Sequence, residues 1–154
     1  MNWGMTKLVG TILLIILSAA GASFGKSDET TEELIARAEA ARPDQQPDLY
    51  MEIAQRAQKS VADAYKDDKS EEFRAGLQQI VKYSDKARSA ALQSGKRVKN
   101  TEIKIREIAI RLRDLKLNVD VDDQPPVQAA ADQLESFRTE LLHAMFGTGT
   151  KSDK

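Results

Sequence analysis

The chain contains no cysteine and only one histidine, His143. Without thiols it cannot form disulfides, thiolate metal sites, a cysteine nucleophile or the covalent haem attachment of a C-x-x-C-H motif. Gly95-Lys96 lacks the earlier glycine and the following Ser or Thr of a phosphate-binding loop. No Ser-His-Asp set or pair of carboxylates stands out, so the sequence predicts no catalytic residues and no enzyme.

Aromatic residues and net charge are also scarce. Phe, Trp and Tyr make up 5% of the chain, and 23 Lys and Arg residues face 24 Asp and Glu residues. This balance gives no reason to expect nucleic acid as a partner. Much of the 41% hydrophobic content is alanine, which suits close helix packing more than a thick globular core. A length of 154 residues is typical of one domain.

Residues 1–22 have the pattern of a secretory signal peptide. An apolar segment, Leu8 to Leu17, is followed by Ala20-Gly21-Ala22, the small residues that signal peptidase requires. We predict cleavage after Ala22, which leaves Ser23 first, with Gly25 as a second option. The product would be secreted or periplasmic and would meet the membrane only during export. The alternative is an uncleaved anchor, although the apolar run is short for a span of about 20 residues.

The remaining chain has helical spacing throughout. We predict an all-α, elongated antiparallel helical bundle over residues 30–146, with four long helices plus a short N-terminal helix. Short links between the long segments predict that sequential neighbours are antiparallel. Residues 23–29 are predicted to be a disordered leader and residues 147–154 a flexible tail.

Start and stop signals divide this region into helices. Thr30 and Glu33 have the spacing of a capping box, and Ser70 is placed to cap the third helix. Gly95 is typical of a helix end. Gly76 lies inside the third helix at a cost of about 1 kcal/mol relative to alanine, which predicts a close crossing with a neighbour.

The stretch from Val98 to Val119 organises the chain. It also alternates with period two in places, as in Ile103-Lys-Ile105, which is typical of a half-buried strand. That alternation slips at Glu107 and Arg113-Asp114, whereas a three-and-four spacing runs through both places, so we predict a helix. The first apolar row consists of Val98, Thr101, Ile105, Ile108, Leu112, Leu115 and Val119.

A second apolar row on this helix is the predicted functional surface. Ile103, Ile110 and Leu117 recur every seven residues and lie almost opposite the first row. Either the helix is covered on both sides, or this row is an association surface, and we predict the second. The row is flanked by a predicted polar rim that could select an acidic partner, namely Lys104, Arg106, Arg111 and Arg113.

The last predicted helix contains Gln128-Ala-Ala-Ala-Asp-Gln-Leu134 followed by Arg138. This stretch resembles the last helix of the periplasmic haem-b bundles, which implies Met and His axial ligands. His143, however, falls almost opposite the row Val127, Leu134 and Leu141, and Met51 lies at the edge of its helix face. We therefore predict no cofactor and keep a small-ligand or haem-binding periplasmic bundle as the alternative function.

An acidic turn contains Asp120, Asp122 and Asp123. An EF-hand loop needs Gly at its sixth position and Glu at its twelfth, and counted from Asn118 those positions hold Asp123 and Ala129. The sequence therefore predicts no metal, and these acids complement the start of the last helix.

Charge is unevenly distributed along the chain. Residues 82–116 hold eleven basic and four acidic residues, and residues 26–72 hold seven basic and thirteen acidic. Pairing within one bundle accounts for this pattern, and the alternative is a basic surface for anionic envelope material or an acidic partner.

The sequence predicts an exported helical bundle that acts by protein–protein or envelope-surface interaction, without catalysis. Its expected partner is itself or another exported or envelope protein.

Overall fold

The computed structural model describes residues 29–147, which form five α-helices and no strand. Together with a short 3-10 helix (Val121–Asp123), these helices account for 85% of the described residues, which confirms the all-α prediction. The predictions for residues 1–22, for 23–28 of the leader and for 148–154 of the tail lie outside the described residues. The helices are α1 (Thr31–Ala40), α2 (Gln46–Lys66), α3 (Ser70–Ser94), α4 (Val98–Lys116) and α5 (Gln124–Phe146).

The start of α1 and the end of α3 follow their predicted signals. The hydroxyl of Thr30 accepts a hydrogen bond from the backbone N–H of Glu33 at 3.2 Å, and the Glu33 carboxylate accepts one from the backbone N–H of Thr30 at 2.9 Å. Gly95 ends α3 with a φ of 64°, a left-handed conformation that glycine adopts without steric cost. Both signals act through neighbouring residues, and both predictions are confirmed.

The start of α3 differs from the prediction that Ser70 caps it. Ser70 is the first helical residue, and Lys69 takes the cap position without a side-chain hydrogen bond. The reason lies at the end of α2, where the Lys69 N–H donates to the Ala64 carbonyl at 2.9 Å and Asp68 adopts a φ of 57°. This Schellman-type closure fixes the chain direction at Lys69, so the next helix begins at once.

Helices α2 and α3 pack closely along one another. Gly76 lies against Val61, and a Cβ atom placed at Gly76 would overlap the Val61 side chain. The predicted close crossing at this glycine is thus confirmed. Further along the pair, the rings of Tyr65 and Phe73 have centroids 5.2 Å apart.

Helix α4 packs along α5. This second pair packs on the pair formed by α2 and α3, because α5 contacts α3 and α4 contacts both α2 and α3. Helix α1 lies on α2. The first apolar row of α4 faces this core, with Ile105, Ile108 and Leu112 buried. The helical interpretation of the central stretch is therefore confirmed. Within residues 29–147, no helix has both the length and the apolar composition of a membrane span.

The end of α4 falls earlier than predicted, at Lys116 instead of Val119. The side-chain amide of Asn118 donates to the Asp114 carbonyl at 2.7 Å, and the Leu117 N–H donates to the same residue's carbonyl at 3.2 Å. These bonds close the last turn of the helix. The hydroxyl of Tyr65 then accepts a hydrogen bond from the Asp120 N–H at 2.7 Å, which holds the connection to α5 against α2.

Candidate interaction surface

The second apolar row of α4 lies on the outside of the molecule. Ile110 is 48% exposed and Leu117 is 81% exposed, whereas Ile103 is partly buried. Ile103 lines a shallow groove together with Met145 of α5. Of the two arrangements considered from the sequence, enclosure of α4 on both sides does not occur within residues 29–147. We call the surface formed by Ile103, Ile110 and Leu117 the outer face of α4.

Contacts on both flanks of α4 decide that this face points outward. On the α5 side, Glu102 is 5% exposed, and its carboxylate accepts a hydrogen bond from the Arg138 guanidinium at 2.6 Å. On the α2 side, the Lys104 ammonium lies 3.2 Å from the Asp48 carboxylate. Ile110 lies between these two flanks on the side that faces neither neighbour.

The four residues of the predicted basic rim differ in what they contact. Lys104 pairs with Asp48 on α2, Arg111 donates to the side-chain carbonyl of Gln58 at 3.2 Å, and Arg113 lies 3.0 Å from the Glu135 carboxylate. Only Arg106 makes no ion pair or side-chain hydrogen bond with the described part of the chain. Much of the basic charge on α4 is therefore engaged within the molecule.

The uneven charge distribution along the sequence has the same intramolecular counterpart. Asp48, in the acidic N-terminal part, lies 3.2 Å from the guanidinium of Arg97 and accepts a hydrogen bond from Asn100 at 2.6 Å. Lys86 of α3 lies 3.1 Å from Glu39 of α1. These pairs connect the basic middle of the chain to its acidic beginning, as the intramolecular interpretation expects.

Two of the cross-helix pairs change the protonation equilibrium of a basic side chain. The hydrogen bond to Glu39 raises the pKa of Lys86 above its ordinary value of 10.5, against a smaller opposing effect of burial. The hydrogen bond to Glu102 likewise raises the pKa of Arg138. Both side chains therefore stay charged at neutral pH and hold their partner helices together.

The residues considered for haem do not converge. His143 is exposed on α5, as its position relative to the core row predicted, whereas Met51 is fully buried in the core. The acids Asp120 and Asp122 are exposed, and Asp123 is partly buried at the start of α5 without capping it through its side chain. Among residues 29–147, no group of three or more His, Cys, Asp or Glu side chains is placed to hold a metal ion.

The structure also reveals a groove of about 460 Å³ between α3 and α5 that the sequence interpretation missed. Leu77 and Val81 of α3 line it on one side, and Pro126 and Ala130 of α5 on the other. Arg74 and Lys82 stand at its edge. The signal for this groove is the short side chains of Ala129-Ala-Ala131 opposite longer apolar residues, a pattern that close helix packing produces equally well.

Comparison with known proteins adds no relative: no protein-family model, no curated protein and no solved structure matches the chain.

Proposed function

We propose that the protein is exported and acts by binding other protein chains through the outer face of α4, without catalysis. The observation that carries this proposal is the exposure of Ile110 on α4, and of Leu117 directly after it, on the side opposite the buried apolar row of the helix. Large aliphatic side chains aligned on one exposed face are typical of interaction sites, because leaving them in water forgoes about 1.5–3 kcal/mol each. Arg106 stands beside this face, has no ion-pair or side-chain hydrogen-bond partner among residues 29–147, and is available to a bound chain.

We also propose that the helices form an elongated antiparallel bundle. The contacts Tyr65–Phe73, Val61–Gly76 and Tyr50–Tyr83 support this arrangement for α2 and α3, because residue numbers fall along one helix as they rise along the other. For α4 and α5 the same trend runs through three polar contacts, Lys116–Gln128, Arg113–Glu135 and Glu102–Arg138. Helices of 19 to 25 residues are about 29–38 Å long, which would make α4 a long docking surface.

Export remains a proposal based on residues 1–22 alone. The apolar run Leu8 to Leu17 and the small residues before Ser23 support cleavage after Ala22 and a secreted or periplasmic location. N-terminal sequencing of the protein recovered outside the cytoplasm is expected to begin at Ser23. Recovery of the intact Met1 form from the membrane would mean that the segment is an anchor.

Photo-crosslinking in the producing cell tests the binding surface directly. A photoreactive amino acid is placed at Ile110 or Leu117, and as a control at Gln79, an exposed residue of α3 outside this surface. Crosslinks to protein chains are expected at Ile110 and Leu117 and not at Gln79. If the two α4 positions yield no more product than Gln79, the outer face is not a binding surface.

The groove between α3 and α5 supports a small-ligand-binding bundle as the second candidate function. Its volume of about 460 Å³ falls in the range of ligand pockets, and its walls are largely apolar. Native mass spectrometry of the protein purified from its host would then show a bound small molecule. The variant Ala129→Trp, which fills the groove from an exposed position, is expected to lose that mass increment. A Soret absorption band in the purified protein would point to haem instead.

A further inference from the structure

The outer face of α4 carries charges in a pattern that identifies one occupant. Seven residues turn a helix by 700°, so Ile103, Ile110 and Leu117 form a row nearly parallel to the helix axis. Arg106 and Arg113 lie about 40–60° from this row on the side toward α5, and we call them the basic edge. At about the same angle on the side toward α2 lies the acidic edge, Glu107 and Asp114.

Few side chains among residues 29–147 neutralise the charges of these edges. All four of their residues are exposed. Within residues 29–147, Arg106, Glu107 and Asp114 make no side-chain ion pair, and Arg113, whose side chain is 49% exposed, reaches only Glu135. The outer face therefore offers an apolar row with one positive and one negative border, which is a self-complementary pattern.

We propose that the occupant is a second copy of this chain, paired through α4 in parallel and in register about a two-fold axis along the helices. This inference rests on the proposed binding function of the outer face and names its partner. The two-fold rotation brings Ile110 against the partner's Ile110 and Leu117 against the partner's Leu117. The same rotation exchanges the two borders, so the basic edge of each copy lies beside the acidic edge of the other. Arg106 then neighbours the partner's Glu107, and Arg113 neighbours the partner's Asp114.

An antiparallel pairing through the same row is disfavoured by the same charges. Its two-fold axis is perpendicular to the helices and leaves each edge on its own side of the contact. Arg106 would then lie beside the partner's Arg113, and Glu107 beside the partner's Asp114. Like charges placed side by side oppose association, so the charge pattern selects the parallel arrangement.

The position of Ile103 places the centre of the contact. Ile103 is partly covered in its groove beside Met145, whereas Ile110 and Leu117 are exposed. The contact is therefore centred on the C-terminal half of α4. The N-terminal end of the helix, with the exposed Lys99, lies at its periphery.

Cysteine crosslinking distinguishes the two orientations. Because the chain has no native cysteine, any disulfide must form through the introduced residue. Each variant is expressed from Met1 and purified as the cell processes it. Leu117→Cys is expected to form a disulfide-linked dimer on mild oxidation, because parallel pairing in register brings the two copies of this position together. The antiparallel pairing described above, centred on Ile110, would instead place this position against the partner's Ile103. Phe146→Cys, which is similarly exposed on α5, serves as the control and is expected to stay largely uncrosslinked.

Charge reversal tests the partner's identity independently. Arg106→Glu and Glu107→Arg are each expected to weaken self-association about tenfold in sedimentation experiments, because each places two like-charge pairs in the dimer. Mixing the two variants is expected to restore association at wild-type strength.

A protein that sediments as a monomer up to about 100 μM, or a Leu117→Cys variant that dimerises no faster than Phe146→Cys, would overturn the inference. If photo-crosslinks at Ile110 to a different protein persist in that case, the proposed binding function stands and only the second-copy assignment fails.

Discussion

Replacing Gly76 with alanine should destabilise the protein, although alanine is the better helix former. Two opposing effects decide the result. In an isolated helix the substitution gains about 1 kcal/mol, because glycine loses more backbone entropy. In this protein the new methyl group would overlap the Val61 γ-methyl group of α2, and it would lie 3.7 Å from the Val61 Cβ.

The overlap is difficult to relieve because Val61 is fully buried and β-branched. A valine in a helix has one strongly preferred rotamer, so its methyl group cannot rotate away at low cost. The alternative is separation of α2 and α3, and overpacking of this kind costs about 1–3 kcal/mol. We therefore expect Gly76→Ala to lower the free energy of unfolding by about 0.5–2 kcal/mol, after the helix preference is subtracted.

Urea unfolding followed by circular dichroism measures this change, and a double-mutant cycle with Val61→Ala isolates its cause. Val61→Ala alone should cost about 1.5–3 kcal/mol, since it removes two buried methyl groups. In that background the steric overlap is gone, and Gly76→Ala should be neutral or stabilise by up to about 1 kcal/mol. An increase in stability for Gly76→Ala in the otherwise unchanged protein would refute the close approach of α2 and α3.

Three further predictions follow from the polar contacts and the backbone. Arg138→Met should lower the free energy of unfolding by about 2–4 kcal/mol, because it leaves the buried Glu102 carboxylate without its partner. In the same urea titration, adding Glu102→Gln should recover part of this loss, because the amide carries no charge. Because the folded-state pKa of Lys86 is raised above 10.5, its stabilising contribution is fully present below that pH and is lost as the pH rises through the raised value. Stability measured from pH 9 to 12 should show this loss, and Glu39→Gln should reduce it; an identical pH profile for the two proteins would contradict the assignment. Asp68→Gly should raise the melting temperature by a few degrees, because Asp68 is exposed and has a φ of 57°, which glycine adopts with less strain. A lower melting temperature would mean that the aspartate side chain stabilises this turn.

Local sequence signals determined the start of α1, the end of α3 and the helical conformation of α4. The capping box of Thr30 and Glu33, the stop at Gly95 and the continuous three-and-four spacing of α4 act between residues only a few positions apart. Interactions of that range are the same wherever the segment lies in the molecule, so they can be interpreted from the sequence. Even the close crossing at Gly76 could be predicted, because few other reasons favour glycine inside a helix.

The tertiary structure alone decided which charges and which apolar residues remain available. Lys104 pairs with Asp48, 56 positions away in the sequence, and Arg138 pairs with Glu102, 36 positions away. No local sequence pattern specifies such pairs. The Schellman closure of α2 likewise replaced the expected Ser70 cap, since both signals compete for the same three linking residues. The sequence identified the second apolar row of α4, but it left open whether another helix covers that row. Only the packing of α5 on one flank and α2 on the other left Ile110 and Leu117 exposed, because burial depends on the positions of chain segments remote in sequence.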